Sequence, residues 1–565
     1  MTKNQRDVGS TNDKASVVQP SENACGATTE ALSPVVQPPA TSLKNKTGSW
    51  RTVKPEYVKR LPPCNMTCPA GENIQEWLSL AQEGKFQDAW KVIMKDNPFP
   101  AIMGRACYHN CELTCNRGQF DKSVNINLLE RSIGDLAIKN NWKVDVPSES
   151  TGKKVLIIGA GPSGLSAAYF LRKFGHDVTI YESHIRPGGM MRYGVPSYRL
   201  PRWVIDAEIK RIIDTWIKLS CNKRVQNIKD EIPNFDAIYV ATGAHIASET
   251  DVEMKGKTNV FDAIDLFRKM EDGPFFDSSV IGKHVLVYGG GNTAIDAART
   301  ALRLGAESIK IIYRKTLDKM PAHDSEIQEA LQEGIEILYL RSISVIDGKK
   351  VLLDKMDHNA ETDVLLKTGE TEIISADSVI FAVGQSIDEG IVADIDDIVI
   401  SEKGVIEVDK NMMTGARGIF AGGDAVQGKR TITNAIGHGK KSAKCIDAYL
   451  RGIDMVKDGK AEVANFRKIN IAYFKRSDRL KVDRYDGISF EEKNVSLSEK
   501  EIVSESRRCF SCGNCFHCDN CYGYCPDNAI KKSADGTLAI DYDYCKGCGI
   551  CATECPCGSI KMIPT

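Results

Sequence analysis

The sequence predicts a multidomain chain: an α-helical N-terminal domain, an α/β core and a small α+β domain at the C-terminus. Three observations predict it. Residues 153–460 alternate short apolar runs with helical stretches, the pattern of parallel strands joined by helices. Upstream, "ENIQEWLSLAQEGKFQDAWKVIMKDNP" repeats apolar residues at spacings of three and four, with Gly84 at a break between helices. Residues 501–565 are cysteine-dense and poor in helix signals.

Composition narrows the function. With 74 Lys and Arg against 75 Asp and Glu, the formal net charge is −1, which argues against a nucleic-acid binder. No apolar run reaches the length of a membrane span and Met1 opens no signal-peptide pattern, so a cytoplasmic location is expected. Of 19 cysteines, six precede residue 116 and eleven follow residue 508, and only Cys221 and Cys445 stand between. A secreted disulfide scaffold would be small and stapled throughout. Clusters of cysteine at both ends of a large, cysteine-poor centre point instead to metal or iron–sulfur ligation.

In chain order, residues 1–50 are rich in Ser, Thr, Pro, Gln and Asn and read as a disordered tail, which includes Cys25. Residues 51–150 form the helical domain. Within the core, "KKVLIIGAG", "HDVTIYE", "FDAIYVATG", "KHVLVYGGG", "SIKIIYR" and "SVIFAVG" read as buried parallel strands. Three segments divide it, at 151–278, 279–385 and 386–460. Residues 461–500 are polar and read as a linker to the 501–565 domain.

Two glycine loops carry the first chemistry. Gly159, Gly161, Pro162, Ser163 and Gly164 follow a strand and open a helix. Such glycines permit a tight turn, admit a pyrophosphate to the backbone and let helix and strand pack closely, while the helix N-terminus supplies amide donors. Glu182 ends the next strand, where a carboxylate takes ribose hydroxyls. The device repeats at Gly289, Gly291, Asn292, Thr293 and Ala294. There the second strand ends in Arg314 and Lys315, with Lys319 nearby, and cations at that place accommodate a 2′-phosphate. Two such loops suggest a held FAD and an exchanging NADP(H) or NAD(H).

"GAGPSGL", "PGGMMRYGVPSYRLP", "VATGA", "GGGNTAIDAART", "FAVGQ" and "GIFAGGDAVQG" resemble the signatures of the glutamate synthase small-subunit family, flavoproteins with two dinucleotide domains. The resemblance implies that 151–278 and 386–460 bind FAD and 279–385 binds NAD(P). It implies that Gly188, Gly189, Met190 and Arg192 lie along the FAD, and that Thr242 and Gly243 close the first FAD segment. Asp424 after Gly423 would approach the ribityl chain and phosphates. "TITNAIGHGKKSA", with Thr433 and Ala435, would be the helix facing the flavin ring, and Gly384 belongs to "FAVGQ". Thioredoxin reductase, a rival in the same superfamily, needs a cysteine pair in the nicotinamide domain. Residues 279–385 contain none.

Cys515, Cys518, Cys521 and Cys525-Pro526 follow the C-x2-C-x2-C-x3-C-P spacing, repeated by Cys545, Cys548, Cys551 and Cys555-Pro556. In such two-cluster ferredoxin runs the fourth cysteine of each crosses to the other [4Fe–4S] cluster. Cys515, Cys518, Cys521 and Cys555 are expected to hold one, and Cys545, Cys548, Cys551 and Cys525 the other. A zinc ribbon would use four cysteines in two pairs. Cys509, Cys512 and Cys557 are left over, as bystanders or, for the first two, as part of a further metal site.

Near the N-terminus stand Cys64, Cys68, Cys107, Cys111 and Cys115. The resemblance implies that this helical domain holds clusters beside the flavin. The family's further upstream cysteines are absent, so one cluster is expected, on Cys68, Cys107 and Cys111. Its fourth ligand is Cys115, Cys64 or Glu130, where related proteins place a side-chain oxygen. Structural zinc is the alternative.

The expected protein is an oxidoreductase passing electrons between NAD(P)H and a protein acceptor through FAD and three [4Fe–4S] clusters, with no side-chain catalyst. The N-terminal layout and appended ferredoxin domain resemble the iron–sulfur flavoproteins associated with dissimilatory sulfite reductase. Subunits that couple 2-oxoacid:ferredoxin oxidoreductases to NAD(P) are similar. The expected partners are therefore reductase or 2-oxoacid oxidoreductase subunits or ferredoxin, with a homodimer left open and no nucleic acid or membrane span. A non-catalytic scaffold subunit and a glutamate synthase small subunit are the alternatives.

Overall fold

The computed structural model describes residues 46–273, 277–359, 364–455, 459, 461–481, 488–492 and 496–565. The expected tail lies outside them up to residue 45, and Cys25 with it. Thr47–Trp50 form a single 3-10 turn.

All six predicted strands form, and all are parallel. One five-stranded sheet runs in the order Ile419–Ala421, Ala237–Val240, Lys154–Ile158, Asp177–Tyr181, Lys218–Ser220. A second runs Glu336–Tyr339, Ser308–Tyr313, His284–Tyr288, Ser378–Phe381, Asn259–Asp262. Apolar runs such as "VLII" and "AIYV" are buried on both faces, as strands covered by helices on either side must be. Helices Pro162–Lys173 and Asn292–Arg303 follow the two glycine loops. A four-stranded sheet, Val364–Ser375, Lys350–Asn359, Arg341–Asp347 and Glu253–Lys255, flanks the second core.

The second sheet and its core take in residues upstream of 279, the expected start of the nicotinamide segment. Strand Asn259–Asp262 pairs with Ser378–Phe381, and helix Ala263–Asp272 buries Ile264, Leu266 and Phe267 in the second core. The short half-buried run "NVFD" has no apolar periodicity to announce it.

In the helical domain, Gly84 adopts φ +74° between helices Ile74–Gln82 and Phe86–Ile93, the predicted break. Trp77, Trp90 and Phe99 of this domain share one core with Leu165, Tyr169 and Ile436 of the first sheet's helices. The helical domain is therefore fused to the first sheet.

Two further departures change how the ends are joined. Strand Val53–Tyr57, counted in the helical domain, pairs antiparallel with the C-terminal strand Ile560–Pro564. The expected linker is not a free connector. Leu61 N donates to Glu462 O and Ala464 N to Leu61 O, and Asn470 N donates to Pro556 O. Arg479 reaches Glu112 Oε2 at 2.6 Å and Asn125 Oδ1 at 2.7 Å. Its polar residues are partners for buried groups of other segments, which composition alone reads as solvation.

Candidate functional site

One cleft of about 1340 Å³ runs between the two parallel sheets and takes in both glycine loops. Gly159, Gly161, Pro162, Ser163, Glu182, Gly189, Met190, Thr242, Gly243, Gly423, Asp424 and Ala435 line it from the first sheet's side. Gly289, Gly291, Asn292, Thr293, Arg314, Lys315, Lys319 and Gly384 line it from the second.

The glycines divide by role. Gly159 is held at φ +106°, and a Cβ there would fall 2.4 Å from Ala241 O; at Gly164 it would fall 1.9 Å from Gly159 O. These two serve the tight turn and the close helix–strand packing. At Gly291 and Gly243 a Cβ would meet nothing within 4 Å, so bare backbone faces the cleft. That is the fit a dinucleotide needs: open space over backbone amides at a helix N-terminus. Glu182 accepts from Ala160 N at 2.8 Å and His184 N at 2.9 Å, which fixes the carboxylate at the cleft wall. Burial raises the Asp424 carboxyl to about 6, against the pull of Arg430. Helix Ile432–Arg451 points its N-terminus into the cleft, with Thr431, Ile432 and Ala435 on the lining and the Thr431 side chain capping Asn434 N.

Five expected residues stand off the cleft, Thr433 among them. Gly164 and Ala294 are packed behind the loops, and Gly188 N instead donates to Ala160 O at 2.8 Å. Arg192 is 1% exposed: its guanidinium pairs with Asp206 and, at 3.0 Å, with Glu271, and donates to Pro187 O. It braces the loop under the cleft and does not present its charge there.

Thr433 faces away from the cleft, toward sulfur. Its hydroxyl donates to Cys107 Sγ at 3.4 Å. Cys107 is flanked by the cleft-lining residues Ala106 and Tyr108, and Tyr108 stacks on His323 of the second domain with ring centroids 5.1 Å apart. No sequence signal singles out Tyr108.

The N-terminal cysteines separate into two groups. Burial raises the Cys111 thiol, and Cys107 and Cys68 raise it further. Glu72, Glu130 and Cys107 act likewise on Cys68, after burial. Glu130 is 6% exposed and its Oε1 accepts from Asn97 Nδ2 at 2.7 Å. Gly104 and Gly134 let helices Pro100–Ala106 and Ile126–Lys139 cross closely, since a Cβ at either would fall 2.3 Å from the other helix's backbone. That crossing sets Glu130 beside Cys107. Of the three open choices for a fourth ligand, Glu130 is buried near Cys68 and Cys107, and Cys64 acts on Cys111. The second group is Cys64 and Cys115, and burial of Cys64 is reinforced by Cys509, Cys115 and Cys512. Neither Cys509 nor Cys512 is a surface bystander.

The ferredoxin-type cysteines meet across runs. Cys521 feels Cys515, Cys555 and Cys518, and Cys545 feels Cys525 and Cys548. Among the described residues no three Cys, His, Asp or Glu groups close on one point at the spacing of a single bound ion. Cys557 Sγ lies 3.8 Å from Cys555 Sγ, and its carbonyl accepts from Gly513 N. Among the described residues no helix is long and apolar enough to cross a membrane.

Residues 153–439 match the pyridine nucleotide-disulphide oxidoreductase model. Residues 58–142 match dihydropyrimidine dehydrogenase domain II, 4Fe-4S cluster, and 538–561 a 4Fe-4S binding domain. The NADP(+)-dependent formate dehydrogenase subunit beta of Moorella thermoacetica is 33% identical over 69% of this chain and 60% of its own length. The glutamate synthase [NADPH] small chain of Azospirillum brasilense is 32% identical over 69% of this chain and 87% of its own. YgfK of Escherichia coli is 29% identical over 87% of this chain, which spans 48% of that longer protein.

Proposed function

The chain belongs to the pyridine nucleotide-disulphide oxidoreductase family, among the iron–sulfur flavoproteins related to the glutamate synthase small chain, and on that premise we propose that it carries electrons between NAD(P)H and a protein acceptor. Bound in the cleft and the cysteine sets, the cofactors would supply hydride transfer from nicotinamide to flavin and one-electron transfer through [4Fe–4S] clusters.

The observation that carries this reading is the shared wall at Cys107. Ala106 and Tyr108 line the dinucleotide cleft, while Cys107 between them is off the lining and its sulfur accepts from Thr433. Among the described residues that line the cleft there is no cysteine. Disulfide chemistry therefore has no group there, and the Cys107 side is where electrons leave. In the cleft, Gly159 and Gly161 seat one pyrophosphate and Gly289 and Gly291 the other. Arg314, Lys315 and Lys319 surround the place of a 2′-phosphate, and charge-assisted bonds from Arg are the strongest available to it.

The acceptor side is the C-terminal domain. Cys515, Cys518 and Cys548 are exposed, and Phe516, Tyr522, Tyr524 and Ile550 expose 37–55% of their surface around them. Aromatic groups at the rim of a cluster suit a protein redox partner. A reductase of the dissimilatory sulfite type or a 2-oxoacid:ferredoxin oxidoreductase is the acceptor class we favour. The test is anaerobic reduction of the purified protein with NADPH or NADH, followed by addition of candidate acceptors. Bleaching of bound flavin and its recovery on adding one acceptor supports the reading; a flavin that no nicotinamide bleaches refutes it.

A further inference from the structure

We infer that Cys64, Cys115, Cys509 and Cys512 hold a fourth [4Fe–4S] cluster, with two ligands from each end of the chain.

The four are brought together by contacts that do not involve thiol titration. Thr114 Oγ1, next to Cys115, donates to Pro63 O, next to Cys64, at 3.3 Å. Asn116 Nδ2, on the other side of Cys115, donates to Cys512 Sγ at 3.5 Å and to Ala464 O at 3.1 Å, with Asn116 4% exposed. Arg60 N donates to Gly513 O at 3.0 Å, and Arg117 Nη1 to Arg508 O at 3.0 Å. Segments 60–64, 114–117 and 508–513 therefore enclose one buried place. None of the four cysteines is in a disulfide.

The loop at Cys509 repeats a local geometry found at the expected cluster ligands. Ser511 N donates to Cys509 Sγ at 3.4 Å from a left-handed residue, φ +51°. His109 N donates to Cys107 Sγ at 3.3 Å with His109 at φ +41°, and His517 N to Cys515 Sγ at 3.5 Å with His517 at φ +56°. Gly547, at φ +76°, makes the same backbone bond to Cys545. A non-glycine residue in this region is strained, and the strain is kept where the loop must turn an amide onto a sulfur. A cysteine that only filled space in a core would not need it.

The site also fills a gap. Cys64 acts on Cys111 of the cleft-side set, and Gly513 N, next to Cys512, bonds Cys557 O beside Cys555 of the ferredoxin sets. As a relay between the two, the cluster rests on the proposed electron-carrier reading; as an iron site it does not.

The test is metal analysis of the full chain, purified anaerobically, and of the Cys509→Ser/Cys512→Ser double variant. About sixteen irons and sixteen sulfides per flavin are expected, falling by about a quarter in the variant with flavin retained. Cys557→Ser, which leaves the four intact, should keep the parent's count. Equal iron in parent and double variant would overturn the assignment, as would one zinc per chain lost with iron unchanged. If the variant loses flavin as well, the milder Cys512→Ser decides: loss of one cluster's EPR signature with flavin kept upholds the site, and an unchanged spectrum overturns it. Nicotinamide failing to bleach the flavin while the iron count holds would refute the electron-carrier reading and leave the site standing.

Discussion

Thr433 Oγ1 donates to Cys107 Sγ across 3.4 Å, one residue from the dinucleotide cleft on each chain segment. The contact ties the helix whose N-terminus lines the cleft to the nearest cysteine set. Hydrogen bonds to ligand sulfur raise a cluster's potential by stabilising the reduced form's extra negative charge. Thr433→Val should therefore shift the midpoint of one cluster to more negative values and leave the others unmoved. Redox titration followed by EPR reads this, and unchanged midpoints would place the Cys107 set off the electron path.

Arg314 is expected to choose between nicotinamides. Losing a charge-assisted bond to a phosphate costs about 1.5–3 kcal/mol, or roughly ten- to a hundredfold. Arg314→Ala should raise KM for NADPH by about that factor and leave KM for NADH nearly unchanged. Equal effects on both would remove the 2′-phosphate from this corner of the cleft.

Residues 46–57 should matter to clusters bound almost five hundred positions away. Strand Val53–Tyr57 pairs with Ile560–Pro564, Tyr542 Oη donates to Pro55 O at 2.8 Å, and Tyr57 Oη lies 3.3 Å from Cys521 Sγ. Deleting residues 1–57 should remove about eight irons per flavin, the two ferredoxin-type clusters. Retention of those irons would mean that the C-terminal domain folds without its added strand.

Glu208 gives a pH signature. It is fully buried and accepts from Ala101 N and Ile102 N, both at 3.0 Å, at the start of the helix that leads into Cys107. Burial raises its carboxyl to about 7. The folded chain then holds a proton that the unfolded chain has released, so this contribution is full at low pH and is lost as pH rises through about 7. Between pH 6 and 8 the parent's thermal midpoint should fall more steeply than that of Glu208→Gln. Parallel slopes would mean that Glu208 is ionised throughout.

What the sequence made legible follows from how local each signal is. The two glycine loops, their strands and the doubled cysteine spacing are contiguous patterns, and each is found where its pattern implied. Arg192 misled because a motif residue need not point at the ligand its motif serves; here two carboxylates claim it. Asn259–Asp262, the strapped 461–481 segment and the pairing of Val53–Tyr57 with the C-terminus depend on partners far away in sequence. No window of residues holds them. Cys509 and Cys512 were visible as a pair, but their meeting with Cys64 and Cys115 exists only in three dimensions.

The central claim is that nicotinamide and clusters exchange electrons through one flavin. It is tested most directly by counting electrons in both directions under anaerobic conditions. The oxidised protein is titrated with NADPH, and separately the photoreduced protein is mixed with NADP+ and the NADPH formed is measured. A flavin alone accounts for about one hydride per chain. Clearly more than one is expected in at least one direction, with cluster EPR signals changing in step. About one hydride per chain in both directions, with the clusters unmoved, would contradict it.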